Sequence, residues 1–459
     1  MDYREFLDKK LFEYKPCGFQ VSTDDLNPML FDWQKMLVRW ALYKGRAALF
    51  EDCGLGKTPQ QLEWAYRVHL HTGGKVLIYA PLAVSQQTVR EGHKFGIKVH
   101  RCADQEDVID GINITNYERL DKFDPATFVG IVLDESSIIK DFTGKFRNKL
   151  IEAYASVPYK LACSATPSPN DYTELGNTAE FLGVMSRSEM LSMFFINDSG
   201  DTTASWRLKG HVADNKFWEW LSAWCVVLQK PSDLGFEDAG FILPPLNTHE
   251  HVIPADGNGW FVEPAEGLSG IRESMRETMD ERCQIAADIV NGSSEQWCVW
   301  CSLNPESELL TKLIDGAVEV KGADASEHKE AALLGFAEGE INRLVTKPKI
   351  AMWGLNFQNC SHSVVTGLSH SYEQFYQLVR RFYRFGQDMP VNIHIVIGER
   401  EMGVLDAIKR KEKQMADMFA GMVRHMQKLT IQELQHTSRK TTPYRPTIEM
   451  VLPKFLEVA

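Results

Sequence analysis

Residues 47–59 read Ala47-Ala-Leu-Phe50-Glu-Asp-Cys53-Gly54-Leu-Gly56-Lys57-Thr58-Pro59, and helix-forming residues continue to Val68. An apolar run, a glycine-paced turn and a helix in that order are the context of a phosphate-binding loop. Gly54 and Gly56 let backbone N–H groups turn inward around phosphate oxygens. Lys57 reaches the outer phosphates, Thr58 offers a hydroxyl to Mg²⁺, and the helix N-terminus adds positive potential. The general pattern G-x-x-x-x-G-K-[ST] has a first glycine where this chain has Glu51. The expected ligands are a nucleotide and Mg²⁺, with Thr58 as a metal-holding residue.

Working outward, further apolar runs at Val76–Ala80, Val129–Leu133 and Leu161–Ser164 alternate with helical patterns, which implies parallel β-α-β units with ligands at the strand C-termini. Asp134-Glu135 directly follows one of these runs. Asp134 is expected to hold the metal, and Glu135 to orient and deprotonate an attacking water. Ser164-Ala-Thr166-Pro167 ends the next run and could link the nucleotide site to its neighbour through hydroxyls.

A second set of runs, Trp297–Ser302, Arg343–Thr346, Ser363–Thr366 and Val391–Ile397, predicts a second α/β unit. Within it, Gln377-Leu-Val-Arg-Arg381-Phe-Tyr-Arg384-Phe-Gly-Gln387 spaces Arg381 and Arg384 three apart, on one helix face. Two guanidinium groups there could reach a γ-phosphate held by the other unit and stabilise charge in the transition state. The fold class is therefore α/β, with two parallel-sheet domains at 1–173 and 292–400. A bridging, largely helical region is expected at 174–291, and a helical C-terminal tail at 401–459.

The 459 residues carry 50 Lys+Arg against 62 Asp+Glu, a formal charge of −12, and are 44% hydrophobic, which excludes extensive disorder. The N-terminus, MDYREFLDKK, has no apolar stretch behind it, and no run approaches the length of a bilayer span. Nine cysteines scattered through apolar segments do not resemble a disulfide framework. A soluble, cytoplasmic protein with no membrane association is expected.

These motifs, in this order, resemble helicase superfamily two, and within it the Snf-type translocases that move on double-stranded DNA. Phe31-Asp-Trp-Gln34 resembles the adenine-reading Q motif. Ala80-Pro81-Leu82 and Thr115-Asn116-Tyr117 resemble the motifs that hold DNA phosphates, and Gly354-Leu355-Asn356 resembles the fifth motif. The series ending at Gln387 is the most family-specific, and the short inserts and the run from Lys347 are similar to phage and prophage members. Ser137 stands where many relatives have His, and Ala351-Met352 where a glycine pair is common. The resemblance implies a DNA-dependent ATPase. Its catalytic residues would be Lys57, Glu135, Arg381 and Arg384. Its nucleotide contacts would be Gln34, Gly54, Gly56, Lys57, Thr58, Asp134, Gly354 and Gln387. Its partner would be duplex DNA, gripped through phosphate and shape without sequence specificity. A strand-separating or branch-migrating helicase and an ATP-gated DNA-binding module are the alternatives.

Two further signals read as structure, and a third is open. Cys298-Val-Trp-Cys301 lies inside a strand-like run with no second pair, and Phe217, Trp218, Trp220 and Trp224 have the spacing of a packed core. Lys409, Arg410, Lys411, Lys413, Arg424 and Lys428 form a basic helical run that suits either solvent or DNA phosphate.

Overall fold

The computed structural model describes residues 14–81, 84–140, 144–168, 171–197, 206–238, 240–255, 267–351, 356–368 and 372–434. Its first domain is built on β1 (Arg46–Glu51), β2 (Lys75–Ala80), β3 (Val99–Arg101), β4 (Ile112–Asn116), β5 (Phe128–Asp134) and β6 (Tyr159–Ser164). A small antiparallel pair, β7 (Phe195–Asn197) with β8 (Trp206–Leu208), follows, and then β9 (Cys225–Leu228) returns to the first sheet. The order is β3-β4-β2-β5-β6-β1-β9, with every pairing parallel. Helices cover both faces of such a sheet, so its central strands are buried throughout and read as continuous apolar runs. Ala47 to Phe50 and Val76 to Ala80 are all fully buried.

The second domain comprises β10 (Leu246–Ile253), β11 (Trp297–Trp300), β12 (Val318–Val320), β13 (Arg343–Thr346), β14 (His362–Thr366) and β15 (Val391–Gly398). Its sheet has the order β10-β15-β14-β11-β13-β12 and is also wholly parallel. Arg282, on the helix Met279–Asn291, is fully buried and bonds Glu306 at 3.0 Å and Glu401 at 3.1 Å. Cys298 and Cys301 are buried and free in the same core.

The stretch 174–291 is rich in helices, as expected of it, but it also contributes to both sheets. It supplies one strand to each sheet: β9 pairs with β1, and β10 pairs with β15. The helices Gly267–Glu277 and Met279–Asn291 pack into the second domain through Ile271, Met275, Cys283, Ala286 and Val290. The crossing is therefore confined to the segment between Leu228 and Leu246. β10 reads Leu-Asn-Thr-His-Glu-His-Val-Ile because it is an edge strand with much of its surface in water, so a search for apolar runs passes over it. The aromatic group Phe217, Trp218, Trp220 and Trp224 is buried in the first domain's core.

One long helix, Met402–Leu434, joins the two cores. Its apolar residues recur at three- and four-residue steps, which keeps them on one face. Val404, Leu405, Ile408 and Met415 enter the second domain's core, while Phe419, Met422, Val423 and Met426 enter the first. Further contacts fasten its C-terminal half to the first domain, where Trp218 stacks on His425 at 4.9 Å and Lys44 meets Glu433 at 2.8 Å. The basic residues Lys409, Arg410, Lys411, Lys413, Arg424 and Lys428 are exposed, and Lys409 meets Glu250 at 2.6 Å. Among the described residues, no helix is long and apolar enough to cross a membrane.

Candidate nucleotide site at the domain interface

β1, β6 and β5 are neighbours, so Glu51, Ser164 and Asp134 end three adjacent strands on one edge of the first sheet. The Gly-rich loop leaves β1 and returns into the helix Lys57–Thr72. Gly54 and Gly56 have φ of +89° and +78°, a backbone that L side chains resist. A Cβ on Gly56 would lie 2.4 Å from Nε2 of Gln34, so the loop also closes against that amide. Gln34 is buried: its Nε2 donates to Leu55 O at 2.8 Å, and its Oε1 accepts from Phe31 N at 3.0 Å. In this arrangement the residue expected to read adenine braces the loop.

Lys57 Nζ donates to the carbonyls of Glu51, at 2.8 Å, and Asp52, at 3.1 Å. Burial works to lower this ammonium's pKa, but the charges of Cys53, Glu135, Glu51 and Asp52 outweigh it and raise the pKa. Glu51 is fully buried and accepts from Gln60 Nε2 at 2.8 Å. Desolvation pushes its carboxyl up to about 7, against the pull of Lys57 and Gln60. Asp134 accepts from Gln61 Nε2 at 2.7 Å, and its carbonyl accepts from Tyr117 OH at 2.7 Å. Its pKa is raised by burial and drawn back by Gln61 and Lys57. Glu135 has φ +51°, the one non-glycine positive φ among the described residues, and a strained backbone of this kind aims a side chain where regular structure would not. Thr166 Oγ1 donates to Ser137 Oγ at 3.3 Å, which ties the ends of β5 and β6 together within the first domain rather than reaching the neighbouring unit.

The second domain presents the helix Tyr372–Val379 and the turn that follows it. Arg381 is pushed down to about 10 by desolvation and by Arg384, while Cys53 and Glu135 of the first domain act in the opposite sense. Arg381 is thus within electrostatic reach of both the Gly-rich loop, at Cys53, and Glu135. Arg384 is lowered by burial, opposed by Cys53 and Glu91 of the first domain, and its Nη1 donates to Asn356 Oδ1. A Cβ on Gly54 would lie 2.8 Å from Phe385 N, so the two domains touch at the loop itself. The structure therefore brings Gly54, Gly56, Lys57, Asp134 and Glu135 to one edge and Arg381 and Arg384 to the edge opposite.

Other expectations come out differently. Gln387 is turned into the second domain: its Nε2 donates to Cys360 O at 3.1 Å and Phe382 O at 3.3 Å, and its Oε1 accepts from Met389 N at 3.0 Å. Those bonds hold the turn that carries Arg384, and they leave the amide committed away from a nucleotide. Thr115, Asn116 and Tyr117, expected to meet DNA phosphate, are buried, with Tyr117 OH committed to the Asp134 carbonyl. Gly354 and Leu82 lie outside the described residues. Asp52, Tyr376 and Arg380, which meet across the interface, belong to none of the motif positions named above. The signal available was an acidic residue inside the loop and an extra arginine beside Arg381, but nothing in the sequence pairs them.

No family model matches the sequence, and no curated protein sequence matches it. Among solved structures, the chain resembles the Sulfolobus solfataricus SWI2/SNF2 ATPase core in complex with double-stranded DNA, at 17% identity and a TM-score of 0.41 over 91% of this chain and 98% of that one. It also resembles the ATP-dependent type ISP restriction-modification enzyme LlaBIII bound to DNA, at 13% identity and a TM-score of 0.53. That likeness covers 83% of this chain but 29% of the restriction enzyme's. The shared feature is the fold, two RecA-like parallel-sheet domains followed here by a helical C-terminal region.

Proposed function

We propose that this chain is a DNA-dependent ATPase of helicase superfamily two that binds ATP between its two RecA-like domains and uses hydrolysis to translocate on double-stranded DNA. The observation that carries this reading is the convergence of two sets of groups at one interface. Gly54, Gly56, Lys57, Asp134 and Glu135 stand on one side, and Arg381 and Arg384 stand within electrostatic reach of the loop on the other. Backbone N–H groups of the loop and Lys57 would hold the phosphates, and Glu135 would orient the attacking water and accept its proton. Arg381 and Arg384 would meet the charge that develops on the transferred phosphoryl group. Since those arginines belong to the other domain, bond cleavage and domain closure are linked.

Mg²⁺ fits the donor set, because Thr58 supplies a hydroxyl and Asp134 a carboxylate, both hard oxygen ligands. Among the described residues, no group of three or more His, Cys, Asp or Glu could hold a metal ion. Mg²⁺ is commonly held by one or two side chains together with substrate phosphates. When bound, the ion would neutralise phosphate charge. The DNA in the two similar structures supports a nucleic-acid partner, and the exposed basic residues from Lys409 to Lys428 offer phosphate contacts.

The test is the ATPase rate of the full chain with no nucleic acid, duplex DNA, single-stranded DNA and RNA. Stimulation by duplex, lost in Lys57→Ala, is expected. Stimulation by single strands alone, or a Lys57→Ala protein that keeps its DNA-stimulated rate, overturns the proposal. Triplex displacement on a duplex track then separates stepping from gated binding, and a forked substrate detects strand separation.

A further inference from the structure

We infer that Arg380 is a positioning residue that holds Asp52 of the Gly-rich loop across the domain interface, and that this pair sets how Arg381 and Arg384 are presented to the nucleotide. Asp52 lies two residues before Gly54, and its carboxylate gathers three donors. Its own domain supplies Cys53 N at 2.7 Å, and the second domain supplies Tyr376 OH at 3.0 Å and Arg380 Nη2 at 3.2 Å. Tyr376 OH also approaches Cys53 Sγ at 3.6 Å.

Arg380 is enclosed as well as paired. Its guanidinium lies over the rings of Tyr376, at 5.0 Å, and Tyr383, at 5.6 Å. Glu412 of the long helix is within its electrostatic reach. The side chains of Arg380 and Asp52 are 19% and 26% exposed, which separates this pair from surface ion pairs that contribute little. Burial acts against the charged guanidinium, but Tyr376, Asp52 and Cys53 reverse that and strengthen its hold on the proton.

The chemistry distinguishes Arg380 from its neighbours. Burial lowers both Arg381 and Arg384, and at Arg381 the like charge of Arg384 adds to it, the condition of a site that gains from an arriving anion. Arg380 already has a protein carboxylate, so it is committed to the loop rather than to phosphate. It immediately precedes Arg381, and Phe385 N packs against Gly54. Fixing Arg380 on Asp52 therefore fixes the register of the whole arginine segment against the loop. With the pair cut, ATP would still be held by Lys57 and the loop, while the arginines would lose their place.

This inference rests on the proposed ATPase for its kinetic arm and stands without it for its structural arm. Full-length Asp52→Ala, Arg380→Ala, their double, and the exchange Asp52→Arg with Arg380→Asp are compared with Arg380→Lys. Duplex-stimulated kcat should fall about tenfold in each single variant, while affinity for a fluorescent ATP analogue changes less than about twofold. The double variant should be no slower than either single, because one shared contact is lost once. The exchange should recover most of the rate, and Arg380→Lys should fall between parent and Arg380→Ala. In solution scattering without nucleotide, the radius of gyration should rise in the single variants and return in the exchange.

Additive losses, a change confined to KM, or an unaltered radius in the single variants each overturn the pairing. If the parent hydrolyses no ATP with any nucleic acid, the proposed function fails, and the scattering series alone decides the pair.

Discussion

The two sides of the domain interface handle buried charge in opposite ways. The first domain gathers the carboxyl groups of Glu51, Asp134 and Glu135 around one ammonium, Lys57, and fixes them largely with its own atoms. Lys57 is held by the Glu51 and Asp52 carbonyls, Glu51 by Gln60, and Asp134 by Gln61. The second domain sets Arg380, Arg381 and Arg384 close together. For the first two, the opposing charges that act on them include Asp52 and Cys53, and Cys53 and Glu135, all from the other domain. One side is therefore a site assembled within its own domain. The other is a cationic surface whose compensation comes from across the gap, which is what couples its position to whatever anion lies there.

Removing a charge from the second side should have the largest effect. Arg381→Ala should lower duplex-stimulated kcat by a factor on the order of 10³, while leaving ATP-analogue binding within a few-fold of the parent, because the guanidinium acts on charge that appears only in the transition state. Steady-state kinetics together with analogue titration check the split. A loss confined to KM would make Arg381 a ground-state binding group and would erase the contrast between the two sides.

A substitution on the first side should instead be read in stability. Glu51 in the folded chain keeps its proton until about pH 7, against 4.5 for the ordinary group. Between those values the folded state binds more protons than the unfolded state, so stability is greatest below pH 4.5, falls as pH rises and levels off above 7. The cost across that window is on the order of 3 kcal/mol. Glu51→Gln should remove this slope. The new amide would have an acceptor, since Gln60 Oε1 is buried and without a hydrogen-bond partner. Urea melts at pH 5 and pH 8 check this: the parent should lose stability between them and the variant should not.

The same contrast explains how much could be read before any coordinates. β1, β2, β5, β6 and the central strands of the second sheet are buried on both faces, so their sequences are unbroken apolar runs, and the motifs follow at their C-terminal ends. β3 and β12 have three residues each, too short to carry a pattern, and β10 alternates polar residues because it is an edge. β9, Cys-Val-Val-Leu, is fully apolar, but it follows the helix Gly210–Ser222, whose aromatic residues blur the boundary. Within the site, Lys57, Asp134 and Glu135 were legible because each sits a fixed step from a strand on its own domain. Gln34 and Gln387 were placed by motif, and their amides prove to be spent on nearby backbone. Asp52 and Arg380 are 328 residues apart in the chain, and only the docking of two domains makes them partners.

The smallest effect concerns the hydroxyl that accompanies that ion pair. Tyr376→Phe removes the 3.0 Å bond to Asp52 but keeps the ring beneath Arg380. Asp52 would retain the Cys53 N–H and the guanidinium, so its carboxylate is not stranded, and the loss should be that of one exchangeable hydrogen bond, about 1 kcal/mol or less. In rate terms that is at most about fivefold, below the tenfold expected for Arg380→Ala. If Tyr376→Phe proved as damaging as Arg380→Ala, the neutral bond rather than the charge would be aligning the two domains. The contrast between a self-contained first side and an electrostatically tethered second side would then have to be redrawn around Tyr376. Stopped-flow or coupled-enzyme rates on the two variants, measured under one buffer condition, make the distinction.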